Sequence, residues 1–248
     1  MNEKLAVVIP ARLGSKRVKA KNLRKLNGKT LIVNMIEKLQ QTQYLQNIYI
    51  NSDSELFGAI ANQNKVKFYQ RQPELATSES LIDDYIFDFI SQIQPEFLAV
   101  VNSTSPFISP EALDNAWLSF QNNNFDTLLS CEKIQTHCFY KGKPVNFSID
   151  GKHPRSQDLE PVRALNFAIT IWNCQRYIEN YESKNYGVYT GKLGFYDIEG
   201  IGCIDIDYED DFQMAEFVSR YLQNENNIPV VYDDVAAQLI EKNVDFAN

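Results

Sequence analysis

The first regular pattern in the chain is an apolar run, Leu5-Ala-Val-Val-Ile9, closed by Pro10. Short, β-branched and apolar on both faces, it predicts a central strand of a parallel sheet. Beyond a polar loop, Leu31, Ile32, Met35, Ile36 and Leu39 recur at helical spacing, and Ile48-Tyr49-Ile50 returns as a strand ending at Ser52-Asp53. A helix from about Glu55 to Asn64 and a strand at Lys67 to Tyr69 continue the alternation. The clearest helix carries Leu81, Ile82, Tyr85, Ile86, Phe89, Ile90 and Ile93, ends before Pro95 and takes Ser78 as its N-cap. Phe97 to Val101 predicts another buried strand, Pro110 opens a helix with Leu113, Trp117 and Phe120 inward, and Thr127 to Ser130 is a further short strand. Such alternation implies an α/β fold, an open, doubly wound, mostly parallel sheet.

From Ile134 to about Gly200 the rhythm breaks into Gly- and Pro-punctuated polar pieces around one strand-like run, Ala164 to Trp172. The chain is therefore read as one domain, 1–248, in which 134–200 is an excursion from the sheet. Gly202-Cys-Ile-Asp-Ile-Asp207 reads as the sheet resuming and Asp210 to Leu222 as a closing helix. Ile228 to Tyr232 and Val235 to Lys242 predict a last strand and helix with no assigned place.

Composition narrows the classes. With 44% apolar and 23% charged residues the chain is neither disordered nor collagen-like. No apolar run approaches the roughly 20 residues that span a bilayer, and Met1-Asn2-Glu3 lacks a basic leader, so a cytoplasmic protein without a membrane partner is expected. Cys131, Cys138, Cys174 and Cys203 form no C-x-x-C pair and are expected as reduced core residues; His137 and His153 read as structural or solvent-exposed.

Charge is more informative than composition. The net charge is −8, yet eight of the 24 basic residues lie between Arg12 and Lys29, a span without an acidic residue. One concentrated positive segment on an acidic chain fits a grip on a small polyanion better than a nucleic-acid coat. It follows the first strand, where open α/β sheets bind ligands. Gly14 and Ser15 permit a tight turn whose N–H groups face an anion, and Arg12, Lys16 and Lys21 can neutralise it; the alternative is a solvated basic loop. A P-loop is excluded, because Leu23 stands where the first glycine before Gly28-Lys29-Thr30 belongs, and no G-x-G-x-x-G occurs. Asp205 and Asp207 flank Ile206 at the end of an expected strand, either as two oxygen ligands for Mg²⁺ or as an acidic strand edge. Asp53 ends a strand as well, and a helix N-cap explains it equally.

Ile9-Pro-Ala-Arg-Leu-Gly-Ser-Lys-Arg17 is followed in order by Lys21-Asn22, Leu26-Asn-Gly-Lys29, Arg71-Gln-Pro-Glu-Leu-Ala76 and Thr104-Ser-Pro106. Gln157-Asp158-Leu159, Asn166-Phe-Ala168 and Asp205-Ile-Asp207 with Glu209-Asp210 complete the series. The series resembles the CMP-N-acylneuraminate synthetase (acylneuraminate cytidylyltransferase) family. The resemblance implies a Rossmann-like, nucleotide-diphospho-sugar transferase-like fold and a homodimer in which the excursion reaches the neighbouring subunit's site. It further implies Mg²⁺-dependent transfer of CMP from CTP to a 2-keto-3-deoxy sugar acid of neuraminic type, with release of pyrophosphate, in cell-surface polysaccharide biosynthesis. By the same resemblance Arg12, Lys16 and Lys21 are catalytic and hold the phosphates with Gly14, Ser15 and Asn22. Arg71 and Ser80 take the cytidine, Asn102, Thr104, Ser105, Gln157 and Asn166 the sugar, and Asp205 and Asp207 the metal.

The chain departs from the family pattern on the sugar side. Asn102 and Ser103 stand for the usual Gln and Pro, Ile108 for a common Arg, and Phe167 for a Gly. Two alternatives stay open: activation of an eight-carbon ketodeoxyoctonate-type acid, or a nucleotide-binding protein of this fold without turnover.

Overall fold

The computed structural model describes residues 4–14, 17–77, 79–223, 231–234 and 236–237. The chain leaves β1 (Leu5–Pro10), makes a 3₁₀ turn at Lys21–Leu23, and pairs β2 (Lys25–Leu26) with β3 (Lys29–Thr30) before α1 (Leu31–Gln40). β4 (Ile48–Ser52), α2 (Glu55–Gln63), β5 (Lys67–Gln70), α3 (Ile82–Ile93), β6 (Phe97–Val101) and α4 (Pro110–Asn122) follow in the expected alternation. β7 (Thr127–Ile134), the small hairpin β8 (Phe139–Tyr140) and β9 (Lys143–Pro144), β10 (Val162–Asn173), α5 (Cys174–Lys184), β11 (Leu193–Ile198) and α6 (Glu209–Gln223) complete the described elements.

Local chemistry fixes the helix starts. Thr30, Ser54 and Ser109 cap α1, α2 and α4 by accepting the backbone N–H of Val33, Leu56 and Ala112, and Pro110 supplies a preset first turn. The main sheet runs β11-β7-β10-β6-β1-β4-β5. All its pairs are parallel except the two made by β10, which is antiparallel to both β6 and β7. One face packs Ile9, Ile36, Phe57 and Trp117 under α1, α2 and α4; the other packs Val8, Phe89, Ile90, Trp172 and Tyr177 under α3 and α5. The doubly wound α/β reading therefore holds. Among the described residues no helix is long and apolar enough to cross a membrane.

Several expectations need correction. The stretch 134–200 is not wholly outside the main sheet: β10 lies inside it and β11 forms its edge, so the chain leaves it only between β7 and β10 and again through α5 and the loop before β11. The strand-like run Ala164 to Trp172 is indeed strand, interrupted by an irregularity between Leu165 and Thr170, where Phe167 takes a left-handed φ of 51°. The expected strand Gly202–Asp207 is a 3₁₀ turn at Gly200–Cys203 followed by irregular chain, tied by the Ile206 N–H to the Thr104 carbonyl at 2.9 Å. Ile206 instead packs into the small core with Leu26, Leu31 and Phe212, away from the main sheet's strands. Helix α3 begins one residue late, with Leu81 as an exposed N-cap that makes no side-chain cap bond. Ser78, Ser15, Lys16 and most of the expected C-terminal strand and helix lie outside the described residues. The two histidines stack on each other, ring centroids 4.1 Å apart, against Phe147.

Candidate active site

A cavity of about 390 Å³ opens where β1, β5 and β6 end, the edge at which open α/β sheets take their ligands. The basic loop reaches it because Ala20, at φ 49°, turns the chain into the Lys21–Leu23 turn. Lys21 is mostly buried, and its Nζ donates to the Ile206 carbonyl and to Asp207 Oδ1, the latter at 3.1 Å. Arg17 forks onto the same carboxylate at 3.0 and 2.9 Å. Arg12 donates to the Thr77 carbonyl at 3.0 Å, and the buried Asn22 accepts the Ser103 hydroxyl at 2.6 Å. Of the other basic residues, Lys19 and Lys25 are exposed, whereas Arg24 and Lys29 are paired with Glu209 and Glu37.

Arg71 forms the opposite wall. It is 4% exposed, donates to Asn51 Oδ1 at 2.7 Å and to the Asn51 carbonyl at 2.9 Å, and lies 4.3 Å from the centroid of the Tyr85 ring. Burial lowers the Arg71 pKa from its ordinary value and pushes the Tyr85 hydroxyl up to about 12. A planar cation fixed by hydrogen bonds and an aromatic face is preorganised for a flat polar partner. Ser80 lies beside it, its hydroxyl on the Glu74 carbonyl at 2.7 Å.

Of the carboxylate pair, Asp207 lines the cavity and Asp205 does not. Asp205 hydrogen-bonds Thr104, and burial, with Asp207 adding to it, raises its pKa. The two carboxylates lie on irregular chain rather than a strand, and Ile206 between them is buried in the small core of α6 with Leu26, Leu31 and Phe212.

Thus Arg12, Lys21, Asn22, Arg71, Ser80, Asn102, Thr104 and Asp207 converge on one cavity. Ser105 is buried behind it with an unpartnered hydroxyl, and Asn166 turns inward to the Ser130 hydroxyl at 2.7 Å. Gln157 is exposed on a 3₁₀ turn, and neither it nor Gly14 lines the cavity. Ile108 is fully buried, its carbonyl taking Lys38 Nζ at 2.9 Å.

A second, largely apolar cavity of about 440 Å³ adjoins the first, sharing Ile82 and Asn102. Phe167, Tyr186, Val188 and Tyr189 wall it, and the Phe167 carbonyl accepts Asn102 Nδ2 at 2.7 Å. Sequence reasoning named Phe167 on the sugar side but missed Tyr186, Val188 and Tyr189, together with Thr77 and Tyr85, and left Arg17 without a settled role. Tyr85 was visible only as a member of an apolar helical face, and 186–189 lay in the stretch expected to leave the sheet.

A family model described as cytidylyltransferase matches residues 6–243. The chain is 28% identical over 215 residues to N-acylneuraminate cytidylyltransferase of Streptococcus agalactiae serotype V, covering 83% of this chain and 51% of that protein. It therefore spans about half the length of the streptococcal relatives it matches. It is 28% identical over 200 residues to CMP-N,N'-diacetyllegionaminic acid synthase of Legionella pneumophila subsp. pneumophila, covering 71% of this chain and 81% of that one. In fold it is similar to the solved CMP:2-keto-3-deoxy-manno-octonic acid synthetase complexed with CTP, with a TM-score of 0.69 at 13% identity, covering 88% of this chain and 99% of that chain.

Proposed function

This chain belongs to the cytidylyltransferase family, and from that premise we propose that it transfers CMP from CTP to the anomeric hydroxyl of a 2-keto-3-deoxy sugar acid, releasing pyrophosphate. The observation that carries the reading is the convergence of Arg12, Lys21 and Arg71 with Asp207 on one cavity at the sheet's ligand-binding edge. In this reaction the acceptor oxygen bonds to the α-phosphorus as the bond to the β-phosphate bridging oxygen breaks. It needs alignment and charge neutralisation more than a strong base.

Lys21 and Arg12 would neutralise the phosphates, with Arg17 and Lys16 as further cations of the same loop. Arg71 and Ser80 would take the base, because their polar atoms sit against a wall that also presents Leu75 and Tyr85. The acceptor would lie in the second cavity, beside Asn102. Its apolar lining suits a carbon-bearing substituent such as an acyl group better than a bare polyol.

The carboxylates Asp205 and Asp207 suit Mg²⁺: both are hard oxygen donors, and a cation would relieve the charge that burial penalises on Asp205. When bound, the ion would neutralise phosphate oxygens; Lys21 and Arg17 would keep Asp207 in place beside it.

A homodimer is part of the reading. Leu193, Phe195 and Tyr189 stay exposed around a groove that Leu165 and Arg163 also line, on the β7–β10–β11 part of the sheet, and a second copy would cover this face.

Pyrophosphate release with CTP, Mg²⁺ and a panel of neuraminic-type and eight-carbon keto acids tests the proposal, with UTP and ATP as controls. CTP-specific release that chelation abolishes is expected. Absence of release with every acid, or preference for another nucleotide, overturns it; CTP binding without turnover would favour a protein that has kept only the nucleotide site.

A further inference from the structure

The first turn of α3 touches both cavities. Ile82 lines each, Tyr85 faces Arg71, and Asp83 lines the second. Asp83 Oδ1 accepts two backbone donors from a loop about a hundred residues away, the N–H of Gly187 at 2.6 Å and of Val188 at 3.0 Å. Hydrogen bonds to an ionised acceptor are roughly twice as strong as neutral ones. The loop is the same one that supplies Tyr186, Val188 and Tyr189 to the second cavity.

Elsewhere the loop is held by its carbonyls. Trp172 Nε1 donates to the Val188 carbonyl at 2.9 Å, and Asn180 Nδ2 to that of Tyr186 at 2.7 Å. Gly187 lies so close to the Tyr177 ring that a Cβ would overlap it, and the Tyr177 hydroxyl returns to the Asp83 carbonyl at 3.0 Å. Trp172 and Asn180 thus tie the loop to β10 and α5, whereas the Asp83 carboxylate ties it to α3.

We propose that Asp83 is a positioning residue for the acceptor. It clamps the 186–189 wall to the turn of α3 that also borders the nucleotide cavity, so that acceptor and nucleotide meet in a fixed relation. The inference rests on the second cavity being the acceptor side. Without the carboxylate, two backbone donors lose their partner, while Trp172 and Asn180 keep the loop attached; the expected defect is local.

Asp83→Ala and Asp83→Asn test it, the amide keeping an Oδ1 acceptor. In Asp83→Ala the KM for the acid should rise by about tenfold or more while the KM for CTP moves less than about twofold, with most of the loss restored in Asp83→Asn. Amide hydrogen exchange of the free protein gives a readout independent of turnover: Gly187 and Val188 should exchange faster in Asp83→Ala than in wild type or Asp83→Asn. Unchanged exchange, or faster exchange with the two KM values moving together, overturns the inference. If wild type turns over no acid, the functional reading fails, and the exchange data alone then decide whether the clamp exists.

Discussion

Lys21 and Lys19 are two residues apart, yet one side chain is 14% exposed between Ile206 and Asp207 and the other lies in solvent. Removing a solvated lysine changes little, whereas removing one that faces a phosphate removes transition-state stabilisation. Lys21→Ala should therefore lower kcat/KM at least about tenfold more than Lys19→Ala, roughly 1.4 kcal/mol, in steady-state assays at matched folding. A different residue sets the acid response. Asp197 accepts Arg163 Nε at 2.8 Å, Lys133 Nζ at 2.9 Å and the Cys131 thiol at 3.1 Å, and these donors, Arg163 first, hold its carboxyl well below the usual range. A depressed folded pKa stabilises above the unfolded value of about 4 and loses that contribution as pH falls through the folded one. Asp197→Asn should thus melt below wild type at pH 7, with the gap narrowing below about pH 4. At this scale the gathering of Arg12, Lys21, Asn22 and Arg71 around one cavity was legible, because they stand in a spaced motif. Asp83 was not: a carboxylate paired with Gly187 and Val188 leaves no local or periodic trace.

Single caps decide where elements begin. Ser109 Oγ accepts the Ala112 N–H at 3.0 Å at the start of α4, the helix that presses Trp117 and Phe120 onto the core. Ser109→Ala should cost about 1 kcal/mol in urea denaturation, with the slope of the transition unchanged. α1 and α4 were readable from sequence because apolar spacing and caps agree there. β10 was readable as a strand but not as a member of the main sheet, because its twelve residues change register midway, at Phe167, and follow a long polar stretch. Cys203-Ile-Asp-Ile-Asp207 misled in the opposite direction. Its alternation imitates a strand, but Ile206 turns into the core beneath α6 and its N–H bonds the Thr104 carbonyl, which belongs to no strand.

Across the whole molecule, β7 and β11 present a face that no helix among the described residues covers around Leu193 and Phe195. If a second copy covers it, Phe195→Lys should convert a dimer to a monomer in sedimentation at micromolar concentration; a wild-type monomer would remove the proposal. The antiparallel placement of β10 has a further consequence, in the order of synthesis. β5, β4, β1 and β6 are complete once residue 101 has left the ribosome, but β6 gains its second neighbour only when residue 173 follows. For about 70 residues of translation, roughly 4 to 14 s, the edge from Phe97 to Val101 is bare and apolar. In that interval a nascent chain is most exposed to pairing with its neighbours on the same message, so translation speed between β6 and β10 becomes a determinant of folded yield.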